Sequence, residues 1–392
     1  MSVFCGGIYL GTTNSVIATY ENDRPECVPS KQGKHLFPSV IAINRKNEVS
    51  IGEAAAPYML SPTYFSIQYA KRVIGYQYNS ERVKSNPSIC IAKMREGKDG
   101  KVVFYKEGWD VTETPVSVYV KILRHMLDRT EVYRGKRLDK VVVTVPIHFK
   151  QEQIADTEEA IRQVGFTKEN YMIMKEPAAA AFCYGLEELR NGYTLVYHLG
   201  GSSFTSTIMQ ITNNAVKFCG YDHDEMIGGL AFDETIRDWV ISEVKNITGK
   251  EICDSRSRNY TRQMQKLLKK CNESKEVLVA CHTIDIDLFD IASEDVLEVM
   301  EDIELTSERM EKLLDPFIKR TIEIVYHTIQ KVGLQKEDIK RILMVGGSTR
   351  LRCVHSALKK HFGEAVPLKF NVSPDKVVAL GAAKFCQIWA GN

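Results

Sequence analysis

Two stretches with the same layout, set half a chain apart, constrain this sequence more than any other feature. One is Gly7-Ile8-Tyr9-Leu10-Gly11-Thr12-Thr13-Asn14-Ser15-Val16-Ile17-Ala18, the other Leu195-Val196-Tyr197-His198-Leu199-Gly200-Gly201-Ser202-Ser203-Phe204. In each, an apolar run ends in Leu-Gly, hydroxyl residues follow, and a second apolar-alternating run begins. The pattern predicts a β-hairpin with a tight turn. Glycine lets backbone approach an anion, and the amides of such a turn point at it, so the turn can wrap a phosphate. A lone Gly-Gly-Ser-Ser reads first as an ordinary hairpin. Its recurrence shifts the balance, because repetition at this distance indicates two related halves rather than a solenoid. Two such turns facing each other would line a cleft between lobes and clamp a nucleotide.

The segments between the hairpins alternate strand and helix patterns, which predicts an α/β layered architecture. Phe37–Ile43, Lys140–Pro146 and Tyr171–Met174 read as strands; Val116–Leu127 and a run from Lys150 to Gly165 read as helices. Glu176-Pro177-Ala178-Ala179-Ala180-Ala181 opens another helix with proline in its first turn. Ala70-Lys71-Arg72-Val73-Ile74-Gly75 reads as a helix end, where Lys71 either complements the helix terminus or reaches a phosphate. Further on come a helix around Arg262–Lys275, strand-like alternation from Glu276 to Ile291, and a long helix near Ser307–Val332. Val345-Gly346-Gly347-Ser348-Thr349-Arg350 closes a strand and leads into a helix, an anion or nucleotide site by geometry. Ser373-Pro374-Asp375 is placed to cap a last helix. The expected division is a lobe over 1–190 with an insertion at about 40–115, and a lobe over 191–392 with an insertion at about 229–305.

A net charge of +2 gives no basis for a nucleic-acid or membrane partner. The ten cysteines are dispersed without a C-x-x-C pair or zinc spacing, and Cys5, Cys183, Cys219 and Cys386 sit in apolar runs, so buried thiols are expected. With no signal-type N-terminus and no run long enough to span a bilayer, a cytoplasmic location is expected.

Taken together, these motifs resemble the nucleotide-binding domain of the heat shock protein 70 family, in the family's order and over essentially the whole chain. They are Leu10-Gly11-Thr12-Thr13-Asn14-Ser15, Ala70–Gly75, Val143-Thr144-Val145-Pro146, Lys175-Glu176-Pro177-Ala178-Ala179-Ala180, Leu199-Gly200-Gly201, Val345–Arg350, and Pro374-Asp375 with Gly381-Ala382-Ala383. The resemblance implies the two-lobed, actin-like (ribonuclease-H-like) ATPase fold with a central cleft, ATP or ADP as ligand, and a chaperone role in protein folding and the stress response. It places Lys71 and Glu176 in hydrolysis. Gly11, Thr12, Thr13, Asn14, Gly200, Gly201, Ser202 and Ser203 fall at the phosphates, and Lys275, Gly346, Gly347, Ser348, Arg350 and Asp375 around the rest of the nucleotide. Another chaperone or a J-domain co-chaperone is the implied protein partner. The chain stops at Trp389-Ala390-Gly391-Asn392, where the family continues into a linker and a peptide-binding domain; it is either a piece of a longer chain or a protein without that domain.

The sequence departs from the family at the metal. Aspartates that organise the magnesium water shell are replaced by Tyr9, His198 and Thr205, and no metal ligand is assigned. Magnesium wants carboxylate or water oxygens, which tyrosine, histidine and threonine do not supply at neutral pH. The same replacements leave the pocket about three charges more positive, which attracts phosphate without a metal. Glu276, Val279 and Asn272 replace an arginine, a serine and a glutamate of the base site, and Ile154 replaces the family's signalling arginine after Pro146. Three readings follow: a divergent domain with weak nucleotide binding and impaired hydrolysis; an active ATPase using Lys71, Glu176 and His198; and a non-enzymatic regulator or exchange partner of a working chaperone.

Overall fold

The computed structural model describes residues 3–391 apart from 87, 88, 91, 190, 213, 214 and 258. Each hairpin sits in a sheet of its own. In the first, strand Cys5–Tyr9 pairs antiparallel with Asn14–Glu21 (Ile8 opposite Ile17) and parallel with Lys140–Val145 (Ile8 opposite Val143). Tyr171–Lys175 and Arg24–Cys27 complete that path. In the second, Gly192–Leu199 pairs antiparallel with Phe204–Thr212 and parallel with Ile339–Val345, with Ala215–Asp224 and Leu368–Lys369 at the edges. The half-chain repeat is thus a repeat of sheet topology, and the parallel partner arrives in both by a long crossover.

A core of alanines and aliphatics joins the two sheets. It contains Cys5 and Val142 from the first, Val196, Met209 and Leu343 from the second, and Ala179, Ala180, Val378 and Ala382 between them. The last four lie on helices Glu176–Tyr184 and Val377–Gly391. These helices pack unusually close: a Cβ on Gly381 would stand 1.7 Å from the Ala179 carbonyl oxygen. The small-residue runs in the sequence exist for this contact. The last helix follows the second sheet in the chain yet packs on strands Cys5–Tyr9, Asn14–Glu21 and Lys140–Val145 of the first. Residue 190, where the sequence reading ended the first lobe, lies outside the described residues.

Several local expectations need correction. Ala70–Gly75 is not a helix end; Ala70–Arg72 is a single 3-10 turn, entered through Tyr69 at φ 66° and left through Gly75 at φ 74°. The alternation expected from Glu276 to Ile291 narrows to strand Thr283–Asp287, because helix Tyr260–Val277 runs through Glu276. After Gly346 comes a 3-10 turn, Gly347–Arg350, and the helix proper starts at Arg352. Among the described residues the Ser373 and Asp375 side chains accept hydrogen bonds from Arg350, and it is the Ser373 carbonyl that takes the Lys376 and Val377 N–H groups at the start of the last helix. Cys5 and Cys386 are buried as expected, whereas Cys183 and Cys219 are half-buried. No helix among the described residues is long and apolar enough to cross a membrane.

Candidate nucleotide cleft

The first turn, Leu10–Thr13, is shaped by serines from the same lobe. Ser39 donates its backbone N–H to Thr13 O (2.8 Å) and its hydroxyl to Gly11 O (2.9 Å), and Ser15 shares a hydrogen bond with the Ser39 hydroxyl (2.8 Å). The second turn closes with Gly200 N–H donating to Ser203 O (3.0 Å). Its Gly200 and Gly201 carbonyls accept from Gly229 and Leu230, the first residues of helix Gly229–Thr248. With those carbonyls engaged, the Gly201, Ser202 and Ser203 amides have no backbone partner among the described residues. The two turns touch: the Thr12 and Ser202 hydroxyls lie 2.9 Å apart.

Beneath this clasp, Tyr9, Thr12, Lys71, Glu176, His198 and Thr205 share one cavity with the second turn and with His148. Its volume is about 20 Å³, enough for about one water molecule. Glu176, the first residue of its helix, is only 3% exposed and is the one carboxylate among the described lining residues. Lys71 Nζ donates to Glu176 Oε1 at 2.9 Å, and His198 Nδ1 stands 3.3 Å from Oε2. The Lys71 ammonium also lies 5.0 Å from the Tyr9 ring centre. Burial, and then Glu176 and Asp375, raise the Tyr9 phenol well above its ordinary pKa, so it stays neutral. Burial holds the His198 imidazole below its usual range against the upward pull of Glu176, with Lys71 adding to the depression. His148 is pushed down to about 2 by burial, then by His223, Lys71, His198 and Arg82.

The remaining sequence candidates form an outer ring. Gly346 adopts φ 89°, and its N–H donates to Pro374 O at 2.9 Å. Ser348 donates to Gly200 O at 3.3 Å, which ties this third motif to the second turn. Lys275 is buried, with its ammonium 2.6 Å from Asp233 Oδ1 and 3.1 Å from Gly229 O. Asp233 is pushed up to about 6 by burial, against the pull of Lys275 and of Asn272, which donates to it at 3.0 Å. Arg350 forks onto Asp375 Oδ2 at 3.1 and 2.7 Å, away from the phosphate turns. Asn14 starts the strand opposite Pro38 and does not line the cavity. A larger open basin of about 530 Å³, walled by Arg352, His355, Lys359 and Phe370, shares only Arg350 with the candidate set.

The family model described as "Hsp70 protein" matches residues 5–392. The chain belongs to the Hsp70 family. It is 31% identical over 386 residues to a chaperone protein HscA homolog from Azoarcus sp. (strain BH72), an alignment covering 98% of this chain and 58% of that protein. The chain therefore spans a little over half the length of this curated relative. The family brings adenine nucleotide binding and the actin-like ATPase fold, and the two turns, whose tip amides have no backbone partner among the described residues, fit a phosphate group.

Magnesium fits less well. The donor set at the cavity is a neutral phenol, an imidazole, hydroxyls and a single carboxylate already shared between Lys71 and His198. Octahedral magnesium takes oxygens, with carboxylates and waters foremost. Several cleft residues had no signal in the sequence reading. Ser39 shapes the first turn, while His148, His223, Glu225 and Arg82 gather beside the cleft.

Proposed function

We propose that this chain is a divergent Hsp70-type nucleotide-binding domain that binds ATP or ADP weakly, without magnesium, and hydrolyses ATP very slowly or not at all. Phosphoryl transfer is positioning plus stabilisation of charge around a metal. The observation that supports the reading is the set Tyr9, His198 and Thr205 at the floor of the cleft, where the doubly engaged Glu176 is the one carboxylate among the described lining residues. Gly11, Thr12, Thr13, Gly200, Gly201, Ser202, Ser203 and Lys71 hold the phosphates. Gly346, Gly347, Ser348, Arg350, Asp375 and Lys275 flank the nucleoside. Such a domain acts as a nucleotide-responsive or purely structural partner of a working chaperone or a J-domain protein. Single-turnover ATP cleavage with magnesium tests it: a rate like that of ordinary family members refutes impairment. Equal nucleotide affinity with and without EDTA is the expected companion result, and a large loss on chelation refutes metal independence.

One contact favours a second reading. His198 Nδ1 beside Glu176 Oε2 at 3.3 Å is a base held by a carboxylate. If this dyad drives an unorthodox ATPase, His198→Ala abolishes turnover; on the leading proposal it leaves a negligible rate unchanged.

A further inference from the structure

One group of side chains at the cleft has no part in the nucleotide scheme. His148 lies just beyond strand Lys140–Val145 of the first lobe, and His223 and Glu225 lie at the end of strand Ala215–Asp224 of the second. Each offers a ligand atom within 4.8 Å of those of the other two. The two imidazoles stack with centres 4.4 Å apart and planes 7° from parallel, and His148 Nε2 faces Glu225 Oε1 at 3.6 Å. His198, Thr205 and His223 are cross-strand partners in register, so all three side chains rise from one face of the sheet, the cleft face.

The His148 ring is also under-partnered. The His148 side chain is 7% exposed, and its buried Nδ1 has no hydrogen-bond partner among the described residues. Buried ring nitrogens are nearly always satisfied, so this one needs an account. Glu225, in turn, is already oriented: Arg82 donates through Nη1 to its Oε2 and is itself fixed by donating through Nε to Arg72 O at 3.1 Å. A carboxylate fixed through one oxygen and presenting the other is how outer-shell contacts prepare a metal ligand. Two imidazoles and one carboxylate, with a fourth position open, is a donor set that zinc takes and magnesium avoids.

We propose that His148, His223 and Glu225 form a site for a divalent transition cation of the zinc type, bridging the two lobes at the mouth of the cleft. Ligand atoms of a tetrahedral site stand about 3.3 Å apart, given bonds of about 2.0–2.1 Å. Completing it takes the two rings out of their stack, so that one in-plane nitrogen lone pair of each turns toward a common point, and a closure on the order of 1 Å. Because ligands come from both lobes, the ion favours the closed arrangement.

The test uses the full chain with thiols reduced, titrated with zinc against a chromophoric chelator and with cobalt as a spectroscopic stand-in. The expected result is one zinc per chain and weak visible cobalt bands without an intense thiolate band. His223 is exposed and Glu225 half-buried, so His223→Ala and Glu225→Gln leave the fold intact. Each weakens zinc by about 100-fold or more, a ligand being worth at least what an outer-shell partner is. Unchanged affinity in the double variant, a thiolate band, or no saturable zinc binding overturns the proposal.

Discussion

Replacing Glu176 by Gln isolates what the cleft floor depends on. The carboxylate carries two buried contacts, Lys71 Nζ at 2.9 Å and His198 Nδ1 at 3.3 Å, with Lys71 9% and Glu176 3% exposed. Breaking a buried pair by removing one partner costs about 3–5 kcal/mol, because the other charge stays desolvated. In Glu176→Gln the stranded group is the Lys71 ammonium, left with the faces of Tyr9 and Phe149 at 5.0 and 5.8 Å, contacts worth about 0.5–2 kcal/mol. In Lys71→Met the stranded group is a carboxylate on the first turn of helix Glu176–Tyr184, where the helix dipole and His198 still favour it. Glu176→Gln should therefore be the more damaging single change, by about 1–2 kcal/mol. The double variant should recover part of the loss, giving a coupling of about 2–3 kcal/mol. Urea unfolding at pH 7 reads this out, with Trp109 reporting the core of the first lobe, Trp389 the last helix and Trp239 the second lobe. A coupling below about 0.5 kcal/mol, or Lys71→Met as the worse single variant, refutes the account of a buried pair.

Thr12→Val removes the hydroxyl clasp to Ser202 and should cost about 1 kcal/mol; hydrogen exchange at the bonded amides of this turn, Gly200, Gly229 and Leu230, should quicken, and unchanged protection counts against the clasp. His148, folded at about 2 against about 6.5 unfolded, contributes stability that is present above pH 6.5 and is lost as pH falls. His148→Gln should thus lose about 2 kcal/mol less than the wild type between pH 7 and pH 5 in urea titrations. For Asp233 the sign is opposite: its folded pKa is raised to about 6, so its contribution is present below about pH 4 and fades as pH rises through 6. Asp233→Asn should flatten that part of the stability profile, and an unaltered slope between pH 4 and 6 contradicts the burial argument.

The hairpin turns were legible because glycine and hydroxyl residues at a strand end have few other uses, and because the pattern occurs twice. The helix from Glu176 was legible through proline in its first turn, and the purpose of its alanines became visible only when Gly381 met the Ala179 carbonyl. Six residues at Ala70–Gly75 are too few to show a period, and the left-handed Tyr69 that turns Lys71 into the cleft leaves no mark in composition. The overreach past Glu276 has a similar cause: the last turn of an amphipathic helix and an edge strand alternate alike over a few residues. His148 and His223 stand 75 positions apart and meet only because two lobes close over a shared cleft, so no spacing rule finds them. The return of the last helix to the first sheet is likewise a fact of tertiary packing.

On the proposed reading, the phosphate cradle and the metal site depend on different parts of the chain, which is why one can change while the other stays. The cradle is backbone. Its turns are fixed by strand ladders, by Ser39 on one side, and by the start of helix Gly229–Thr248 on the other. Altering them breaks hydrogen bonds that hold the sheets. The positions of Tyr9, His198 and Thr205 carry only side chains into the cleft, and a carboxylate there is a liability to folding unless a cation balances it. A neutral phenol, a neutral imidazole and a hydroxyl remove that liability. Glu176 stays because Lys71 needs it. On the proposed reading, loss of the metal carries no penalty in stability, and Tyr9 and His198 instead fill the space in which ion and water would sit. The about 20 Å³ left beneath the clasp follows from that exchange, and any nucleotide that enters must part Thr12 from Ser202 to do so.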